Sequence, residues 1–147
     1  KVFMGLNSQF KYKNWDFGFN LRANFGNYVF NGFAAYHTTL AHFNNQGFIN
    51  NYAQDAGKYG WTHISENYQK TSDLYLENAS FLKMDNITVG YTFDKFFTDK
   101  ISGRVSASVQ NVFTITGYNG LDPETSAIDS NIWPRPRTFT IGLNLNF

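Results

Sequence analysis

Residues Trp133 to Phe147 read WPRPRTFTIGLNLNF. From Thr138 onward they alternate without exception: Phe139, Ile141, Leu143, Leu145 and Phe147 fall on one side, Thr138, Thr140, Gly142, Asn144 and Asn146 on the other. A period of two marks a β-strand with one apolar and one polar face. A soluble sandwich strand alternates in the same way, but it seldom stops on an exposed Phe. A strand whose apolar side meets lipid has reason to, so this stretch is expected to close a membrane barrel.

The composition is compatible with that reading. The chain has 147 residues, enough for one domain, and 19% of them are aromatic, with 16 Phe and 9 Tyr. Apolar residues make up 42% but are interspersed, and no run approaches the roughly 18 consecutive apolar residues of a spanning helix. Net charge is +1 with Lys and Arg scattered, so the basic patch of a nucleic-acid binder is missing and no nucleic-acid partner is expected. With no Cys, disulfides, thiolate metal sites and Cys nucleophiles are all removed, while the compartment stays open.

The opening, KVFMGLNSQF, already alternates and has no signal-peptide features. The chain is therefore expected to be part of something longer, with Phe147 a natural end. Met4 to Tyr12 reads as a first strand, with Met4, Leu6, Phe10 and Tyr12 on one face. After Lys13-Asn14, Trp15 to Phe25 gives the cleanest alternation: Trp15, Phe17, Phe19, Leu21, Ala23 and Phe25 against Asp16, Gly18, Asn20, Arg22 and Asn24. Its eleven residues match the roughly 9 to 11 that a tilted strand needs to cross a bilayer, where soluble strands usually run about 5 to 6. Gly26 to about Asn78 reads as a long loop, with a possible short helix from Ala34 to Phe43 weakened by Thr38 and Thr39.

Alternation resumes at Ser80 to Phe93, with Ile87, Val89, Tyr91 and Phe93 on one face. Extending that face backward meets Asp85 and Lys83, which are expected to lie beyond the lipid. Asp94 to Lys100 reads as a second short turn, Ile101 to Thr116 as a fourth strand in which Asn111 interrupts the apolar face, and Gly117 to Arg137 as a second loop, its exit held extended by Pro134 and Pro136. Short and long connections thus alternate, as periplasmic turns and extracellular loops do in outer-membrane barrels.

Three blocks, Asn78 to Phe93 (NASFLKMDNITVGYTF), Val105 to Glu124 (VSASVQNVFTITGYNGLDPE) and Trp133 to Phe147, resemble the C-terminal signature of the SusC/RagA-type TonB-dependent transporters of the Bacteroidetes outer membrane. Gly5 to Asn31 also fits, Gly32 to Asp73 is unmatched, and Trp133 stands where the family commonly has Tyr. The resemblance implies an all-β fold: residues 1–147 as about the last five strands of an antiparallel transmembrane barrel of about 22 strands, with two long extracellular loops. It also implies partners: outer-membrane lipid, the remainder of the barrel and its plug, a SusD-like lipoprotein helping to capture glycans or peptides, TonB acting through the missing N-terminal region, and the barrel assembly machinery, for which Phe147 would be the assembly signal.

On the alternation alone, Asp16, Asn20, Arg22, Asn24, Arg104 and Gln110 face the lumen, where they line a solute path or bond the plug. Asp122 and Glu124, in Gly-Leu-Asp-Pro-Glu, either contact a substrate, a partner or a calcium ion, or simply build a turn. Trp15, Trp133, Tyr12 and Tyr91 stand near strand ends, as interfacial or ordinary core aromatics. His37, His42 and His63 lack an acidic ligand at motif spacing, so no metal or cofactor is expected. Nothing fixes the separation of Asp55, Glu66, Asp73 and Glu77, which read as solvated loop charges. With no Ser, His and acid constellation on one rim, an enzyme is not expected. Three functions stay open: an energised outer-membrane transporter, a soluble all-β binding module, and a passive porin.

Overall fold

A computed structural model of the chain describes residues 1–37, 73–94, 101–130 and 133–146. In chain order its strands are β1 (Val2–Tyr12), β2 (Trp15–Phe25), β3 (Tyr28–Asn31), β4 (Leu76–Asn78), β5 (Phe81–Phe93), β6 (Ser102–Thr116), β7 (Ile128–Asp129) and β8 (Thr138–Asn146). A short helix, α1 (Gly32–His37), follows β3, and a 3-10 turn, Asp73–Tyr75, precedes β4. The chain divides into two units: one is Lys1–Phe25, Phe81–Thr116 and Arg135–Phe147, the other Gly26–Ser80 and Gly117–Pro134.

The first unit is a five-stranded sheet in the order β1-β2-β5-β6-β8, antiparallel throughout. All five expected strands are present and adjacent. β1 and β2 are joined by Lys13 and Asn14 with Tyr12 paired to Trp15. Lys13 sits at φ 54, as tight two-residue hairpins require of a turn residue, although Gly or Asn usually fills that place.

The aromatic face is continuous across strands. Phe10 pairs with Phe17, which pairs with Val89, and Val89 pairs with Ala107, which pairs with Ile141. The rings of Phe10, Phe17 and Phe19 lie 5.9 to 6.4 Å apart. No second layer covers this face among the described residues. Ile141 is 83% exposed, Phe139 72% and Phe10 58%. A water-soluble sheet of this kind would lose its main stabilising term.

β5 and β6 depart from simple alternation. Asn20 pairs with Asn86 but the next residue of β2, Leu21, pairs with Met84, leaving Asp85 without a partner in β2. On the other side Asn86 pairs with Gln110 and Met84 with Phe113, so Asn111 and Val112 stand opposite Asp85. Asn111 takes φ 52. This bulge corrects the backward extension of the apolar face onto Asp85 and Lys83: it puts Met84 and Leu82 in line with that face, opposite Leu21 and Ala23, and Asp85 turns to bond Arg22. Neither charge continues the apolar row. Beyond the bulge β6 and β8 no longer pair. There Asn111 Nδ2 donates to the Pro136 carbonyl at 2.9 Å.

The second unit corrects the reading of residues 26–78 and 117–137 as plain loops. β3 pairs antiparallel with β4 and parallel with β7, giving the order β4-β3-β7. Strands of four, three and two residues are too short to display a period. Val29, Ala79 and Tyr118 form its buried cluster. The possible helix is shorter and earlier than expected, at Gly32–His37. Residues 38–43 lie outside the described residues, as do most of the second turn, His42, His63, Asp55, Glu66 and Phe147.

Candidate functional site

Opposite the aromatic face, three consecutive rows of polar or small residues cross all five strands. One is Asn7, Asn20, Asn86, Gln110, Thr138. The next is Gln9, Gly18, Thr88, Ser108, Thr140, and the third Lys11, Asp16, Gly90, Ser106, Gly142. The register follows from the Lys13-Asn14 turn and from regular pairing across each interface, since side chains one residue apart point oppositely and those two apart share a face.

In the first row the amides form a ladder. Asn7 Nδ2 donates to Asn20 Oδ1 at 2.5 Å, and Asn20 Nδ2 to Asn86 Oδ1 at 2.9 Å. In the third, Arg104 reaches over Gly90 to Asp16, donating from Nε to Oδ1 at 3.0 Å and from Nη2 to Oδ2 at 2.5 Å. Paired, two-pronged contacts of this kind are the stronger class of charged hydrogen bond. Gly90 is required for the reach, because a Cβ there would meet the Arg104 guanidinium and the Asp16 carboxylate. Between ladder and ion pair lies a concavity of about 250 Å³, with Gln9, Gly18 and Thr88 in its lining.

A second pair lies at the bulge. Arg22 donates through Nε and Nη2 to Asp85, the latter at 2.7 Å, and the buried Lys83 ammonium stands 3.9 Å from the same carboxylate. The polar face is thus rich in hydrogen-bonding groups while its arginines are matched by carboxylates.

In the second unit, Asp129 is fully buried. Its Oδ2 accepts from the Leu121 and Asp122 amides at 2.8 and 3.0 Å and from the Tyr118 hydroxyl at 3.2 Å. Burial, and then the Asp129 carboxylate, push the Tyr118 hydroxyl well above the usual tyrosine range. Glu77 Oε1 accepts from Asn31 Nδ2, and its Oε2 from the amide and side chain of Asn119, at 2.8 to 3.0 Å.

The structure brings Asp16, Asn20, Arg22, Arg104 and Gln110 onto one face. Asn24 extends the same alternation at the far end of β2, opposite Phe3 and Phe81, its Oδ1 buried with no partner among the described residues. Asp122 is buried and its Oδ1 caps the Glu124 amide at 2.9 Å, with Glu124 half-buried. Trp15 packs on Tyr91, ring centroids 4.8 Å apart, and Trp133 is exposed before β8. Glu77, expected to be a solvated loop charge, is instead half-buried in β4 and held by Asn31 and Asn119; Asn7, Asn86, Lys83, Asp85, Tyr118 and Asp129 are not among the expected site residues. Counting back from the two-residue turn puts Asn7 opposite Asn20, a usable signal, but no motif marks Asp129.

No protein-family profile matches the chain. It is 43% identical to the TonB-dependent receptor SusC of Bacteroides thetaiotaomicron, over 99% of this chain and 15% of that receptor. It is 26% identical to a TonB-dependent receptor of Formosa agariphila, over 98% of this chain and 16% of that one. Among solved structures, the RagAB peptide importer in an open-open state superposes with a TM-score of 0.70 at 19% identity, covering 99% of this chain and 17% of that chain. The chain thus spans about one-sixth of the length of the relatives it matches.

Proposed function

We propose that the chain is a segment of the β-barrel of a SusC/RagA-type TonB-dependent receptor of the outer membrane, and that it forms part of a TonB-energised importer of glycans or peptides that works with a SusD-like lipoprotein; the 43% identity to SusC across nearly the whole chain supports this. The observation that carries the reading is the two-faced sheet: an uncovered aromatic face backed by a continuous polar one. Lipid satisfies the first. A plug or a hydrated solute satisfies the second, whose ion pairs and amide ladder present donors and acceptors without a large net charge. Asp16, Asn20, Arg22, Asn24, Arg104 and Gln110 are the lumen side in this reading. Asp122 and Glu124 belong to a loop on the outer surface, where their part is to shape the partner's or solute's landing surface.

Uptake of labelled oligosaccharides and peptides by cells with and without the complete receptor tests the proposal, each with and without an uncoupler that collapses the proton gradient. Receptor-dependent uptake abolished by the uncoupler, and reduced on deletion of the lipoprotein, is expected. Uncoupler-insensitive uptake would assign a passive porin instead.

A further inference from the structure

The sequence holds two Asn-Gly steps, Asn31-Gly32 and Asn119-Gly120, and the fold brings both to one carboxylate. Glu77 of β4 accepts from Asn31 Nδ2 through Oε1, and from the Asn119 amide and Asn119 Nδ2 through Oε2, at 2.8 to 3.0 Å. An Asn-Gly step is chemically fragile in water. Asparagine is among the thermolabile side chains, and a glycine after it has no Cβ to keep its own backbone nitrogen away from the asparagine Cγ.

Packing sets both glycines. A Cβ on Gly120 would run into the ring and hydroxyl of Tyr118, which Asp129 holds in place. One on Gly32 would crowd the Asp129 carbonyl at 3.0 Å and the Ile128 and Ser130 side chains. The surroundings of Asp129 thus call for glycine directly after each asparagine that Glu77 grips. The two steps are not equally restrained. Asn31 is 2% exposed and its Oδ1 accepts from the Ala34 amide at 2.9 Å, so both ends of its side-chain amide are held away from water. Asn119 is exposed, and among the described residues only its nitrogens are held.

We propose that Asn119-Gly120 is a site of spontaneous covalent modification, and that Glu77 is the positioning residue that restrains it. In the reaction the Gly120 nitrogen gives its proton to water and bonds Asn119 Cγ. The Cγ–Nδ2 bond breaks, and Nδ2 takes a proton from water and leaves as ammonia. A second water opens the resulting succinimide at either carbonyl, leaving aspartate or isoaspartate at 119. Because one carboxylate holds both Nδ2 and the backbone amide of Asn119, Cγ can swing to the Gly120 nitrogen only after those bonds open. The product places a second carboxylate where Glu77 had a donor, and like charges at that distance repel, which loosens β4 from the segment that carries Asp122 and Asp129.

The test incubates the complete receptor at mildly alkaline pH in water enriched in heavy oxygen, native and in denaturant, and scores the label at positions 31 and 119 by peptide mass spectrometry. In denaturant both steps are expected to convert at similar rates. In the native receptor Asn31 stays intact and Asn119 converts, more slowly than in denaturant. Glu77→Gln is expected to raise native conversion at Asn119 about tenfold, the equivalent of about 1.4 kcal/mol in the opening that frees the side chain. Native conversion at 119 as fast as in denaturant, or no faster than at 31, overturns the proposal. A Glu77→Gln receptor that converts at the parent's rate also overturns it, and one that converts more slowly would make Glu77 a base that promotes the reaction. Retained fast electrophoretic mobility scores folding. If Glu77→Gln does not fold, Glu77→Asp, which keeps the charge and shortens the reach, takes its place with the same outcomes.

Discussion

Arg22 of β2 grips Asp85 of β5 through two guanidinium nitrogens, and Asp85 is the residue that β5 inserts with no partner in β2. The bulge thus places one carboxylate between two cations, Arg22 and the buried Lys83. Removing the carboxylate leaves both unneutralised from this side, whereas removing Arg22 leaves Asp85 facing Lys83.

Asp85→Ala is accordingly expected to destabilise the complete barrel more than Arg22→Ala. The difference should be about 1 to 3 kcal/mol, the range for hydrogen bonds to charged groups, toward its lower end because both partners are partly exposed. The temperature at which the folded receptor loses its fast electrophoretic mobility in detergent measures it. Equal midpoints for the two variants would contradict the arrangement.

Gly90→Ala should displace Arg104 from Asp16, since the new Cβ occupies the space of both side chains. A cost of about 1 to 3 kcal/mol is expected from such overpacking. The same change in an Arg104→Ala background should cost less, because the guanidinium is gone and the Asp16 carboxylate is no longer held over Gly90 by it, and a double-mutant cycle on thermal midpoints reads the difference. Additive effects would show that Gly90 serves some other purpose.

Phe19 and Asn20 are sequence neighbours on opposite faces, paired with Ile87 and Asn86 respectively. A Lys at Phe19 is expected to cost about 2 to 4 kcal/mol if it meets lipid at mid-membrane, and a Lys at Asn20 far less. A quencher carried on the acyl chains should reach a probe at position 19 and not one at 20. Better quenching at 20 would reverse the faces.

Asp129→Ala strands the Leu121 and Asp122 amides and the Tyr118 hydroxyl together. Each unpaired buried group costs about 1 to 3 kcal/mol, so the 117–130 segment of the complete receptor should become cleavable by protease at concentrations that leave the parent intact. Tyr118 adds a pH signature. Its proton is held more tightly folded than unfolded, so its contribution to stability is fully present below the ordinary tyrosine value of about 10 and is lost as pH climbs through the raised one. A titration followed at the tyrosinate absorbance, compared with Tyr118→Phe, should show one residue ionising late.

The five long strands were legible because most of their pairing is regular: β2 and β8 keep one residue type per face from end to end. β5 was half legible. Its alternation holds from Ile87 onward and breaks at Asp85, where a bulge depends on Arg22 across the sheet and on the left-handed Asn111 in the next strand. β3, β4 and β7 hold too few residues for a period and exist through pairing across long loops. The polar residues of the candidate site came straight from alternation, whereas Asp129 did not. What makes it important is the set of amides that converge on it, and convergence is a property of the folded chain.

The asparagine row has a direction. Asn7 donates a hydrogen bond to Asn20, and Asn20 donates one to Asn86, so each amide can be turned only one way once its neighbour is set. Rotating the Asn7 amide by half a turn would face oxygen with oxygen and force the next to follow, then the next. The orientation that Asn86 presents at the middle of the sheet is therefore dictated two strands away, at β1, and a substitution there would change what the centre of the face offers without touching it.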